Sequence, residues 1–358
     1  VSGTYPAAQT LTITVPANGI GAGSLVGITI GATRGVYNPS AAGSYNLTVA
    51  TQTAASVVIE AATQSSAFTI INPVLVTPPG TVKVYNPTGV LMSQDVGANK
   101  LEAAVLSVTA ANYTIELGPG LFIEDDITVP AVAEGLIIKA SGSKAETIVP
   151  ARWNINVKNV KFQGFTLKSD LVGGTAVTLG ALADNFVADG CDFIRTGDAT
   201  TTTGQTFIVY GNTVANGTGT LTNCTFDSQL GDAYDAQLIN VGAGAIGLTI
   251  SKNTFKLDLS STLGASDWAI RTQSAVTVSE NTFTGYVGFG KGVIVDANGN
   301  ATITKNSFSG MVSALEMTAG TSQATFKNNT VTNCGYASTT TNTAALKITN
   351  NGGLKVFN

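Results

Sequence analysis

The sequence predicts an almost all-β protein in two parts: a small N-terminal β-module, then a long stack of short strands wound into a β-helix. Three observations carry that expectation. Among 358 residues there are 40 glycines and abundant Thr, Asn, Val and Ile, with little helical periodicity. Short alternating apolar–polar runs fill the first seventy residues. Finally, one phrase keeps returning in the second half: ISKNTF (250–255), VSENTF (278–283) and ITKNSF (303–308), with LTNCTF (221–226) and FKNNTV (326–331) as frayed copies.

The N-terminal module spans 1–72. LTITV (11–15), LVGITI (25–30), YNLTV (45–49), SVVIE (56–60) and FTI (68–70) alternate with period two, and Asn18-Gly19 and Asn38-Pro39 punctuate them. Five strands are few for a closed sandwich, so an edge is expected to stay open. TRGVYNPSAAGSYNLTVAT (33–51) resembles a segment of bacterial surface-layer and cell-surface proteins, which implies an Ig-like β-sandwich.

Residues 73–95 hold Pro73, Pro78, Pro79 and Pro87, and are expected to be a stiff linker with one strand, TVKVY (81–85). Leu101, Ala104, Val105 and Val108 then fall at i, i+3, i+4 and i+7. That spacing predicts a helix over about 99–109, with Asn99 as its cap. YTIEL (113–117), the turn GPG and LFIEDDITV (121–129) follow. This order, with GLIIKASGSKAETIV (135–149) and NVKFQGFTLKS (159–169), resembles the opening of right-handed parallel β-helix proteins of the pectate-lyase and pectin-methylesterase type. The resemblance covers 96–358 and implies that the helix plugs the first coil.

The residue two after the recurring Asn is Leu167, Phe193, Phe226, Phe255, Phe283, Phe308 and Val331, at intervals of 26, 33, 29, 28, 25 and 23. Repeats of this length signal a solenoid, with room for three strands and three turns per coil. Two positions earlier stand Phe165, Cys191, Cys224, Asn253, Asn281, Asn306 and Asn329. In a parallel stack, equivalent residues lie about 4.8 Å apart. An asparagine column can therefore hydrogen-bond to itself, while the Phe/Leu column packs inside. The phrase is expected to be a corner, with Asn in the left-handed backbone a tight turn needs. Cys191 and Cys224 share that column, as a disulfide or thiol pair or as two small apolar fillers.

Histidine is absent and the three cysteines lack CxxC spacing, which excludes catalytic triads and His- or Cys-based zinc sites. Charged residues make up 11% and the net charge is −4, so no basic stripe exists for nucleic acid. No apolar run is long enough for a membrane span. Opening on Val1 without a signal-like segment, the chain is expected to be mature and exported.

The resemblance implies polysaccharide chemistry: Asp carboxylates holding calcium with an Arg base in pectate lyases, two Asp with an Arg in pectin methylesterases. None of these constellations can be assembled here. The nearest approach is Asp189, Asp192 and Asp227 with Arg195. Glu124, Asp125 and Asp126, and likewise Asp232 and Asp235, could bind calcium through several oxygens. Trp153, Trp268, Tyr286 and Phe289 are the sparse candidates for a sugar contact.

The expectation is a non-enzymatic extracellular structural protein of a bacterial cell surface. It would assemble with itself head-to-tail and through strand edges into a surface layer, sheath, tubule or filament, with cell-wall polysaccharide as a further partner. No cofactor is required, though calcium could bind. The alternatives are a β-helix polysaccharide lyase or hydrolase, and an adhesin or glycan-binding module.

Overall fold

The computed structural model divides the chain into two units, Val1–Val76 and Thr77–Asn358. It describes residues 80–357 except 98, 125, 170–173, 196–204, 212–216, 229–235, 258–266, 286–289, 336–343 and 350–352; before residue 80 it describes only the backbone of four strands. In the first unit Gly43–Tyr45 pairs antiparallel with Phe68–Ile70, and Thr48–Gln52 pairs antiparallel with Val58–Gln64. The expected runs 11–15 and 25–30 lie outside the described residues.

The second unit is a parallel β-solenoid with three faces. Among the described residues, the first face holds twelve strands, ten of them from the coils, and the other two hold nine each. The first face starts at Thr114–Leu117 and ends at Gly353–Phe357, with every coil strand paired parallel to the next. The second begins at Gly120–Leu121 and the third at Asp126–Val129. Strands on the first two faces mostly bury alternate residues. On the first face, for example, Ile115, Ile138, Phe162, Leu221, Ile250, Val278 and Ile303 all point into one core.

The third face departs from period two. Thr175–Leu179 buries Ala176, Val177 and Leu179, and the register pairs pass over Phe207, Leu238, Ala269, Gly292 and Ala314. Each strand bends there and turns two consecutive side chains inward. Gly292 fills this column because there is no room for more. A Cβ would lie 2.6 Å from the Ala314 carbonyl oxygen and 2.8 Å from Cε1 of Phe308. Gly292→Ala is therefore expected to cost about 1–3 kcal/mol, visible as a lower denaturation midpoint.

The helix, α1, runs Lys100–Leu106, shorter than the pattern suggested, and buries Leu101, Ala104 and Val105 against Thr81–Tyr85 and Asp126–Val129. Val108 is buried beyond it. Asn99 stands at the N-cap position with φ 57°, and its side chain makes no capping bond. Glu124 does that work: its carboxylate accepts from the Leu101 N–H at 2.9 Å and the Glu102 N–H at 3.1 Å. A carboxylate at a helix start also meets the positive end of the peptide dipoles.

The segment 73–95 differs from the linker the prolines suggested. It carries a second strand, Leu91–Val96, which pairs with Thr81–Tyr85, and that strand in turn pairs antiparallel with Thr114–Leu117. The reason is local. The Asn86 side-chain oxygen accepts from the main-chain N–H of Thr88 and of Val90, so Asn86-Pro87-Thr88-Gly89 closes a turn and not a spacer.

Candidate functional site

The recurring phrase is the corner between the first and second faces. Asn253 Oδ1 accepts from the Cys224 N–H at 2.8 Å, and Asn281 Oδ1 accepts from the Asn253 N–H at 2.8 Å and from its Nδ2 at 3.0 Å. Asn306 Oδ1 accepts the same pair from Asn281, and Asn329 Oδ1 the same pair from Asn306. Each Nδ2 also donates 2.9 Å to a carbonyl on the preceding coil: Leu221, Ile250, Val278 and Ile303 in turn. The column is thus a continuous amide ladder, buried apart from Asn329.

The left-handed residue is not the ladder Asn, as expected, but the one before it. Gly164, Gly190, Asn223, Lys252, Glu280, Lys305 and Asn328 all have φ between 53° and 69°. The ladder Asn must aim both amide ends along the stack, so its neighbour makes the turn.

Beside the ladder, Phe193, Phe226, Phe255, Phe283 and Phe308 stack with centroids 4.5–5.0 Å apart and ring planes within 9° of parallel. Leu167 precedes them in register and Val331 follows. Phe165, at the head of the ladder column, is buried against Phe162.

Cys191 and Cys224 are buried free thiols. Cys224 Sγ lies 3.1 Å from the Thr222 carbonyl and 3.5 Å from that of Ala188, the place an Asn amide nitrogen takes on later coils. A hydrogen bond with the Cys191 thiol, and then burial, push the Cys224 thiol well up.

The acid–base candidates do not converge. Asp189 ends a first-face strand and accepts from Asn223 Nδ2 at 2.9 Å. Asp192 begins a second-face strand across the corner and holds Lys144 at 2.6 Å. Asp227 lies one coil on, opposite Ile194, and holds Lys256 at 3.1 Å. Arg195 ends the strand of Asp192, and its side chain lies outside the described residues.

Of the calcium candidates, Glu124 caps α1, Asp126 faces Arg152 at 3.8 Å, and Asp125, Asp232 and Asp235 lie outside the described residues. Among the described residues no cluster of three or more metal-ligating side chains forms. Trp153, a candidate sugar contact, is instead wholly buried, packed edge-on to Phe162. Tyr286 and Phe289 lie outside the described residues.

The third face carries a charged strip that the sequence pattern did not reveal. Arg271 Nε meets Asp296 at 2.5 Å, Thr318 donates to the same carboxylate, and the guanidinium sits 5.1 Å over the Trp268 ring. Glu316 lies between Lys291 at 2.9 Å and Lys347 at 3.1 Å. Apart from Trp268, which shares a strand with Arg271, these partners are 22 to 31 residues apart in sequence, and the stacking brings them together.

Burial pulls the Glu316 carboxyl upward, but the two ammonium groups outweigh it and hold the group below its ordinary 4.5. A carboxyl whose folded value is depressed stabilises above its unfolded value and loses that contribution as the pH falls through the folded one. The last coils are therefore expected to loosen below about pH 4.5. In Glu316→Gln this acid-dependent step should shrink, as followed by thermal melts across pH.

Elsewhere the outer surface is hydroxyl-rich. Thr220, Thr249, Thr277, Thr302 and Thr325 stand in one row on the first face, beside Thr222, Ser251, Ser279 and Thr304. Thr225, Thr254, Thr282, Ser307 and Thr330 form a matching row on the second.

With this geometry in place, a family model described as "Right handed beta helix region" matches residues 214–356. No curated protein matches the chain. Fold and family match together define a right-handed parallel β-helix region.

Proposed function

We propose that the protein is a non-enzymatic structural component of a bacterial cell surface that assembles with copies of itself into a layer, sheath, tubule or filament. One observation carries the reading. Gly353–Phe357 and Leu91–Val96 are the two outer strands of the same twelve-stranded sheet. Leu91–Val96 runs antiparallel to Thr81–Tyr85, which runs antiparallel to the coil strands. Both outer strands therefore point the same way, and a copy stacked end-on would add its strand in the parallel sense the coils already use.

Large exposed apolar side chains gather at these ends: Leu91, Met92 and Val96 at one, Ile348, Val356 and Phe357 at the other. The sides in between carry Thr and Ser rows, which cost less to desolvate in a lateral contact or against cell-wall polysaccharide than ions would. The proposal gives the N-terminal unit an Ig-like fold whose open edge exchanges strands with a neighbour. Its paired strands between Gly43 and Ile70 support that assignment.

Asp95 restrains the assembly. It pairs with Val82, whose side chain is buried, so on this exposed edge strand it stands on the side of the sheet that faces the core. A charge so placed discourages indiscriminate edge pairing. Concentrated full-length protein should scatter light as polymers and show ordered sheets, tubes or filaments in negative stain. Asp95→Asn should speed that growth and Val356→Lys should slow it. Protein that stays monomeric at high concentration, with and without calcium, would overturn the proposal.

A further inference from the structure

The corner column changes chemistry at one place: two adjacent coils carry cysteine where the later coils carry the amide ladder. Cys191 and Cys224 occupy the same position one coil apart, since Asp192 pairs with Thr225 and the Thr225 N–H donates to the Cys191 carbonyl at 3.0 Å. Neighbouring parallel strands place such residues about 4.8 Å apart, inside the roughly 4.4–6.8 Å Cα separation that a disulfide spans. The side chains already lean across that gap. Cys224 Sγ lies 3.5 Å from the carbonyl of Ala188, which belongs to the coil of Cys191.

Neither thiol has a polar side chain as a reason to stay reduced. Beyond main-chain groups, among them the Asp189 carbonyl 3.7 Å from Cys191 Sγ and the Thr222 and Ala188 carbonyls beside Cys224 Sγ, each thiol meets the other thiol. Cys334 is set apart: it follows the last ladder position and is only half-buried, bonded to the Thr332 carbonyl.

We infer that Cys191 and Cys224 are a covalent modification site, a disulfide clipping two successive coils at the head of the asparagine ladder. The bond forms by exchange with a disulfide-bearing oxidant, either a small-molecule disulfide or a dithiol oxidase. One thiolate attacks the oxidant's disulfide and releases one thiol. The second cysteine sulfur then displaces the other, giving the Cys191–Cys224 bond. Two protons and two electrons leave the pair, and the oxidant departs as two thiols. In the closed corner both sulfurs are at most 2% exposed. Exchange therefore precedes closure of these coils and belongs to folding, which makes the bond a staple and not a reversible surface switch. The two cysteines are 33 positions apart in the chain, so the bond restricts the unfolded chain substantially.

The test is refolding of the full chain in glutathione disulfide, with a parallel sample in reductant, followed by thiol counting under denaturing conditions. The oxidised sample should show one reactive thiol per chain and the reduced sample three. Peptide mapping should join the Cys191 and Cys224 peptides with a loss of two hydrogens. The oxidised protein should melt several degrees higher, a gain absent from Cys191→Ser and Cys224→Ser. Three reactive thiols after oxidative refolding, or a bond that engages Cys334 instead, would overturn the inference. The wild-type comparison decides it even if a serine variant fails to fold, and neither outcome depends on whether the protein polymerises.

Discussion

Asn281→Ala is expected to lower stability by about 2–5 kcal/mol in chemical denaturation, a large loss for a change of a few atoms. Asn281 Oδ1 satisfies both the main-chain N–H and the side-chain Nδ2 of Asn253, and its own Nδ2 bonds the Ile250 carbonyl and Asn306. Alanine leaves the Asn253 N–H without its acceptor in a dry corner, and an orphaned buried polar group costs about 1–3 kcal/mol. It also withdraws the donor from Ile250 and Asn306 and opens a small void. Position along the column should set the size of the effect. Asn329 is half-buried, so water can replace what it loses, and Asn329→Ala should cost distinctly less. Asn281→Asp separates the roles, since it keeps the acceptors, loses the donors and buries a charge; it should destabilise increasingly above the carboxylate range. Equal losses at 281 and 329 would mean that the ladder bonds contribute little beyond helping the chain turn.

Phe283→Ala should cost about 3–5 kcal/mol. The ring is fully buried and stacked on both sides, with centroids 4.6 Å from Phe255 and 4.5 Å from Phe308. Neighbouring strands hold these rings in register, so they cannot slide together to fill the gap; the coils would have to change pitch. Phe283→Leu keeps most of the volume and loses the stacking, and should cost markedly less. Far-ultraviolet dichroism of the folded variant should stay close to the parent's, because main-chain pairing on the other faces is untouched. A loss near 1 kcal/mol for the alanine variant would show that the column tolerates vacancies and that the main-chain ladder dominates.

Much of the solenoid was legible because stacking forces like side chains into like surroundings. Phe255, Phe283 and Phe308 recur in the sequence for the same reason that they lie over one another in space. The turn residue was not legible: Gly, Asn, Lys and Glu all occupy it, so backbone geometry is shared where side-chain identity is not. The charged strip was hidden for a related reason. Glu316 meets Lys291 and Lys347 across coils of unequal length, and no fixed sequence spacing marks such pairs. The acidic candidates are a separate case. Asp189 and Asp192 are three residues apart, yet the corner sends them to different faces. Prolines in 73–95 suggested a spacer because a hairpin turn and a linker share them; the deciding bonds come from Asn86. Glu124 could not be matched to the helix it caps, because the contact joins residues 23 positions apart.

The asparagine column also has a sense. Asn253, Asn281 and Asn306 each give one Nδ2 proton to the side-chain oxygen on the C-terminal side and the other back to a carbonyl of the preceding coil, so the amide-to-amide bonds all run one way. The column is therefore directional although no formal charge enters it. A layer laid on the far side of Asn329 would have to bring an oxygen to continue the series, whereas at the other end the series stops inside the stack, at Cys224, with the coils of Cys191 and Phe165 already before it. The series is therefore open at one end alone, and in the proposed assembly a copy added there would have to present its oxygens in one orientation.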